Sequence, residues 1–371
     1  MNKTMYHELN ISAGARMVEM FGYELPWEYK LDPNEEQRIT RGNVGFNDIG
    51  YMAKFHVTGK GAFSFVQKVT TNDIATSVVG QVKYTAFCKE NGNMVDDGTV
   101  WKYSDEDFML ITGDEVDGQW FEQQAKGFDI KIENMTFKNG TLQIQGPNAP
   151  KVIQKITGID PASIKFFHFK ETTLEGKRLI VGKLGFTGSG GFEFHMASED
   201  SKIMWDAIEE AGKKFGIVPF GQGALEAMRQ EAGYLLVGND HNPTTNPLEV
   251  GIGQVVCFTK GNDFIGRSAL EKIAREGADR RIVWFKIQDG AVANLGDKIF
   301  LEGCKVGNVT SGSFSYTTGM GTALGLIDSR RAFSGQNYTI ITSDGASHSA
   351  IISLVPLYDP TRVFRSSIGR K

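Results

Sequence analysis

TLQIQGPNAPKVIQKITG, residues 141–158, contains the change of hydrophobic period on which the fold turns. Leu142 and Ile144 alternate with polar neighbours, the two-residue period of a strand with one buried face. Val152, Ile153 and Ile156 then recur at helical spacing, Pro147 suits the first turn of that helix, and Gly158 can end it. Residues 56–69, HVTGKGAFSFVQKV, repeat the order: a strand, a glycine turn, and a helix with Phe63, Val66 and Val69 on one side. Two copies of one strand-to-helix unit predict two related α+β modules.

Working outward, SKIMWDAIEEAGKKFG (201–216) reads as a third helix, with Met204, Ile208, Ala211 and Phe215 on one face and Gly216 at its end. Beyond the charged segment AREGADRR (274–281) the texture changes to short apolar runs broken by DG, EG, SG and GMG turns. That pattern predicts an antiparallel β domain, a barrel or jelly roll, starting near Ala278. At 371 residues the chain exceeds what one hydrophobic core supports, so two or three packed units are expected. Its 44 glycines sit in hairpin-like places, which favours many short strands.

Hydrophobic residues at 40% and charged residues at 23% describe a compact protein rather than a disordered one. A net charge of -4 offers no field to gather phosphate backbones or anionic lipid, so neither nucleic acid nor membrane is expected as a partner. The amino terminus lacks a secretory pattern and no run is long enough to span a bilayer, so a cytoplasmic protein is expected. Cys88, Cys257 and Cys304 are far apart and fit buried small hydrophobes in a reducing compartment. The six histidines, at 7, 56, 168, 195, 241 and 348, show no metal spacing, and no metal is expected.

Two segments could carry chemistry. KENGNMVDDGTVWKY (89–103) sets Asp96 and Asp97 side by side before a β-prone run. In a strand they point to opposite faces, so one can serve a site while the other looks to solvent or caps the turn. Taken alone, a solvated Asp-Asp-Gly turn explains the segment as simply. KLGFTGSGGFEFHMA (183–197) feeds a strand with Phe192, Phe194 and Met196 on one face and Glu193 and His195 on the other. That second face is either the wet side of a sheet or a place where a carboxylate grips the paired N–H donors of a flat amino-heterocycle. The glycines at 188, 190 and 191 precede a strand instead of a helix, so they form a hairpin and no phosphate loop. No nucleophile elbow supports a serine hydrolase.

Eight pieces in register resemble the glycine-cleavage T-protein (aminomethyltransferase) family across nearly the whole chain. They are GARMVEMFGYELPWEY (14–29), TTND (70–73), ENGNMVDDG (90–98), IQGPNAPKVI (144–153), GFTGSGGFEF (185–194), MRQEAGYLLVGND (228–240), TNPLEVGIG (245–253) and DFIGRSALE (263–271). The resemblance implies an α+β fold: a three-domain cloverleaf around a hole that holds tetrahydrofolate. Residues 1–50 and 140–245 would form the first module, 51–139 the second, and 246–371 a linker and a carboxyl-terminal β-barrel from about 279. It also implies roles. Asp97 would stand beside the folate nitrogens that take the one-carbon unit. Glu193 would grip the pterin, and Tyr84, Met52, Thr112, Phe166 and Phe186 would line the folate pocket, with Tyr51, Trp101 and Leu225 on the donor side.

The chain departs from that family at several of these places. The usual FDVSHMG reads NDIGYMA (47–53), putting Tyr51 in place of His and Gly50 in place of Ser. Leu225 stands where an Arg serves folate, Thr112 near a pocket Asn, and Phe186 in place of a Tyr. Fewer N–H donors change what the pocket recognises. VGND (237–240), KFFHF (165–169) and Gly98 look more like the demethylase branch of the family. The expected function is therefore tetrahydrofolate-dependent methyl transfer from a small donor such as a sulfonium, an amine or an aryl ether. The alternative is an aminomethyltransferase working with a lipoylated carrier protein. A third reading, a non-catalytic folate-binding scaffold, usually brings a Cys-bearing KGCYxGQE-like segment, and GQGALEAMRQEAG (221–233) has no Cys.

Overall fold

The computed structural model describes residues 1–359. The 141–158 stretch forms the strand Asn139–Gln145 and the helix Ala149–Thr157, which ends on left-handed Gly158. Pro147 lies ahead of the helix, and Pro150 occupies its first turn. The corner between strand and helix belongs to Gly146, at φ +115° with Thr40 O only 2.3 Å from where a Cβ would stand. A side chain there has no room and the wrong backbone sign, so the chain turns one residue before Pro147 and the helix starts late.

That strand is central in a six-stranded sheet ordered Phe169–Leu174, Lys177–Gly182, Gly191–Ala197, Asn139–Gln145, Gly45–Asp48, Val218–Pro219. Leu142, Ile144, Phe192 and Phe194 pack under Val152 and Ile153 of the first helix and Met204, Trp205 and Ile208 of the helix Ser201–Gly212. The second sheet is ordered Val82–Cys88, Met94–Lys102, Asp107–Thr112, Ala53–Thr58, Lys131–Asn134. Its core side holds Phe55, Val57, Phe65, Val66 and Phe121, with the helix Ala62–Val69 supplied by the second quoted stretch. The two sheets meet along a seam of Val82, Trp101, Met109, Ile111, Phe169, Ile180 and Leu184. Chains that bury one sheet face under helices and the other against a second sheet leave little of either sheet to water.

Six strands from Arg280–Ile287 to Ser347–Ser353 close into an antiparallel barrel filled by Phe285, Ile287, Ile299, Val309, Tyr338 and Ile340. The helix Gln222–Ala232 packs on its strand Cys304–Ser315. Among the described residues no helix is long and apolar enough to cross a membrane.

The junction between that helix and the barrel is held by buried charge. Glu231, with no exposed side-chain surface, takes Arg41 Nη2 at 2.8 Å, Ser315 Oγ at 2.6 Å and Thr317 Oγ1 at 2.9 Å. Arg41 in turn donates to the Thr187 carbonyl at 2.5 Å and Ser189 Oγ at 2.8 Å. Removing one partner strands the other charge in a dry site. Glu231→Ala is expected to lower unfolding stability by about 3–5 kcal/mol, read as a lower urea midpoint at unchanged slope.

Candidate active site

Asp96 and Asp97 lie within the strand Met94–Lys102, opposite Phe87 and Ala86 of the neighbouring strand. The glycine that follows is obligatory, because a Cβ on Gly98 would meet Ile111 O at 2.3 Å. Strand alternation starts the two side chains on opposite faces, yet both carboxylates reach the His241 ring, Asp97 Oδ1 at 2.7 Å and Asp96 Oδ1 at 3.7 Å from its Nε2. Asp96 does not look to solvent, however; it is 1% exposed, and its oxygens accept the N–H groups of Asp97 and Gly113, both at 2.8 Å. Burial, followed by the nearby Asp117 and Asp97 carboxylates, pushes its carboxyl well above the usual range. A sequence cannot tell such a dry carboxyl from a wet one, because the difference is made by the loop that covers it.

Asp97 lives in a different setting. Tyr84, on the adjacent strand, donates its hydroxyl to Oδ2, and His241 brings Nε2 to 2.7 Å from Oδ1. Burial raises this carboxyl, but the His241 charge and the Tyr84 hydrogen bond outweigh it and hold Asp97 below the ordinary carboxylate range. Burial and the Asp97 charge push the Tyr84 hydroxyl up, so it remains a donor. Two adjacent acids are thus pushed in opposite directions, Asp96 up and Asp97 down.

Glu193 sits on the strand Gly191–Ala197 between Gly182 and Gln143, with 13% of its side chain exposed. The face it shares with His195 is the seam between the sheets and not a wet surface. His195 stacks edge-on to Trp101, with ring centres 4.7 Å apart, and burial depresses its basicity. Its Nε2 stands 3.6 Å from Glu193, too far for a hydrogen bond. Among the described residues no side-chain or backbone donor bonds the Glu193 carboxylate, which is 13% exposed, so its two oxygens are open to N–H groups of a ligand. The flat edge of a pterin supplies such a pair, and the site fits a reduced folate on that ground. Lys54 adds a buried cation in the neighbourhood: its Nζ donates to the carbonyls of Gly50 at 3.0 Å and Met52 at 2.7 Å. Burial pushes its amine down to about 7 against the pull of Asp48 and Glu193.

The other expected site residues divide into those near these groups and those held in packing. Met52 turns its carbonyl to Lys54 and packs partly against the seam. Tyr51 is 8% exposed, stacks on Phe21 and reaches Gln222 Oε1 at 3.4 Å. Leu225 is buried with Phe220, Ala224 and Met228, and Phe186 packs on that cluster and stacks on Tyr234. Thr112, fully buried, bonds to the Asp114 carbonyl at 3.3 Å and helps fix Asp117. Trp101, 1% exposed, is a seam residue whose indole N–H is taken by Thr99. Phe166 is 48% exposed and packs edge-on against Phe167. His241 and Lys54 were not distinguishable in the sequence. His241 has no companion at metal spacing, and Lys54 occupies the polar phase of a strand in which Ala53, Phe55 and Val57 point inward. Asp96, Asp97 and His241 do place three ligand atoms within 4.8 Å of one another. The two backbone donors already on Asp96 leave that group a poor cation ligand.

Similarity to known proteins agrees with this geometry. Residues 6–260 match the GCVT N-terminal domain, and residues 280–359 match the glycine cleavage T-protein C-terminal barrel domain. An aminomethyltransferase of Bacteroides fragilis is 38% identical over 88% of this chain and 91% of its own. One of a Thermoanaerobacter species is 36% identical over 95% of this chain and 96% of its own. The crystal structure of the glycine cleavage system aminomethyltransferase T of Bartonella henselae superposes with a TM-score of 0.90 over 97% of this chain and 98% of its own, at 24% identity, and so shares the fold. With both domains matched in order and the fold reproduced from end to end, the chain belongs to the glycine cleavage T-protein family.

Proposed function

We propose that this chain transfers a one-carbon unit to tetrahydrofolate, with Asp97 as the fixed anion of the transfer. The observation that carries the reading is geometric: Tyr84 donates its hydroxyl to Oδ2 of Asp97 and His241 stands 2.7 Å from Oδ1, so the carboxylate is clamped in one orientation. Tetrahydrofolate, when bound, supplies the nucleophilic amine that takes the carbon. Asp97 offers a preset negative charge where positive charge grows on that amine. At about 4 Å and an effective dielectric near 20 such an anion is worth roughly 4 kcal/mol before desolvation. Glu193, with its two unmatched oxygens, holds the pterin edge, and the buried surroundings keep water from competing.

For the donor, the name shared by the relatives supports an aminomethyl group, and with it a lipoylated carrier protein as partner. This favours the alternative drawn from the sequence over its first expectation. A methylated small molecule remains the second reading on one observation: Leu225, in place of the family Arg, completes an apolar cluster with Phe186.

Incubation with tetrahydrofolate and either an aminomethyl-loaded lipoylated carrier or a panel of methylated sulfonium, amine and aryl ether compounds separates the two. Methylene-folate with ammonia is expected from the carrier; methyl-folate from the panel would reverse the order, and no folate product from either would sink the proposal. Asp97→Asn is expected to retain folate binding and slow transfer by about 10²-fold or more. Glu193→Ala should weaken tetrahydrofolate binding by roughly 1.5–3 kcal/mol in calorimetry, and unchanged affinity would remove Glu193 from the pterin contact.

A further inference from the structure

His241 is a fully buried imidazole delivered to Asp97 by a loop that cannot drift. The residue before it, Asp240, accepts Arg229 Nη1 and Thr310 Oγ1, both at 2.5 Å, and Leu236 N at 2.9 Å. Gly238 N closes the loop on the His241 carbonyl at 2.8 Å. The anchors come from the helix Gln222–Ala232 and from the barrel strand Cys304–Ser315, so both domains fix the ring.

The ring itself has little else to do. Neither Nδ1 nor Nε2 has an aligned hydrogen bond among the described residues, and Nε2 meets Asp97 off the hydrogen-bond line. Burying such a ring is costly unless it works through the one carboxylate it closely approaches, Asp97 at 2.7 Å. The titratable groups facing the pair are Asp96 on the same strand, whose Oδ1 is 3.7 Å from Nε2, Tyr84 on the next strand with Tyr234 beyond it, and Asp117 at the start of the helix Asp117–Gln124. Of these, the acids disfavour a second negative charge at Asp97, whereas the Tyr84 hydroxyl and the His241 ring both favour it.

We propose that His241 is a positioning residue for the transfer, whose ring, held 2.7 Å from Asp97, supports the charge of that carboxylate and fixes the direction in which it faces the accepting amine. The inference rests on the reading of Asp97 given above, and it adds a residue outside the eight segments that carry the family resemblance. It acts through Asp97 and forms no bond to the carbon in transit.

The test uses the full chain with His241→Leu and the more nearly isosteric His241→Gln, which keeps an N–H donor without the charge. In ligand-free protein labelled with ¹³C at aspartate carboxyls, the Asp97 titration midpoint is expected to rise by about 1–3 pH units in both variants. Activity that needs ionised Asp97 falls as pH drops through its midpoint, so the acid limb of turnover should move to higher pH by the same amount, with tetrahydrofolate affinity within about twofold. A purely structural ring would lower the melting temperature without moving either midpoint. If His241→Leu fails to fold, the glutamine variant gives the same readout, and an unmoved Asp97 midpoint in it overturns the proposal. Absence of folate product from the unsubstituted chain would overturn the functional reading instead, and the carboxyl titration is independent of that outcome.

Discussion

Arg229 has no exposed side-chain surface, and the arrangement around Asp97 depends on where its guanidinium goes. It takes Glu226 through two nitrogens at 3.1 and 2.7 Å, Asp240 at 2.5 Å, Ser311 of the barrel at 2.7 Å and the Tyr234 carbonyl at 3.0 Å. Five bonds from one planar cation use its whole donor fork. Because the fork is rigid, helix, loop and barrel must hold their relative places to satisfy it. Burial alone would cost such a charge several kcal/mol, and the two carboxylates raise its affinity for the proton in compensation. The loop carrying His241 is set by this constraint, and through it the site depends on a barrel that contributes none of the expected folate-contacting residues.

The Asp96 and Asp97 pair shows how strongly position outweighs identity. Both are aspartates on one strand, one residue apart, yet burial and Asp117 push the first up while a hydroxyl and an imidazole hold the second down. Strand periodicity starts their side chains on opposite faces, so each meets different neighbours before both reach His241. The difference between them comes from segments far away in sequence: Gly113 and Asp117 on one side, Tyr84 and His241 on the other.

What the sequence disclosed follows the same division. The period change at 141–158 and its repeat at 56–69 gave the strand-to-helix units, because burial of one face imposes a period that survives in any context. The turn-rich texture after Arg280 disclosed an antiparallel unit, and its closure into a barrel came from register that no local pattern encodes. Glu193 and His195 were legible as sharing a face, but whether that face was wet or buried depended on Trp101, ninety positions away. His241 and Lys54 escaped notice because a single polar residue in a loop or on the outer phase of a strand has no spacing to betray it. Pro147 misled by one turn because the corner it appeared to begin had already been made by Gly146.

Closure of the barrel also bears on how the molecule avoids sticking to itself. A cylinder presents no unpaired strand for a neighbour to extend, so edge-to-edge growth would have to begin on an open sheet. In the five-stranded sheet the Val82–Cys88 edge is capped by the chain near His168, which pairs with Gln81 and receives Val82 N on the Phe167 carbonyl. The Lys131–Asn134 edge is studded with Lys131 and Glu133, the latter shared with Lys138. One flank is covered and the other charged, two ways of keeping a β-rich molecule from seeding fibrils at high concentration.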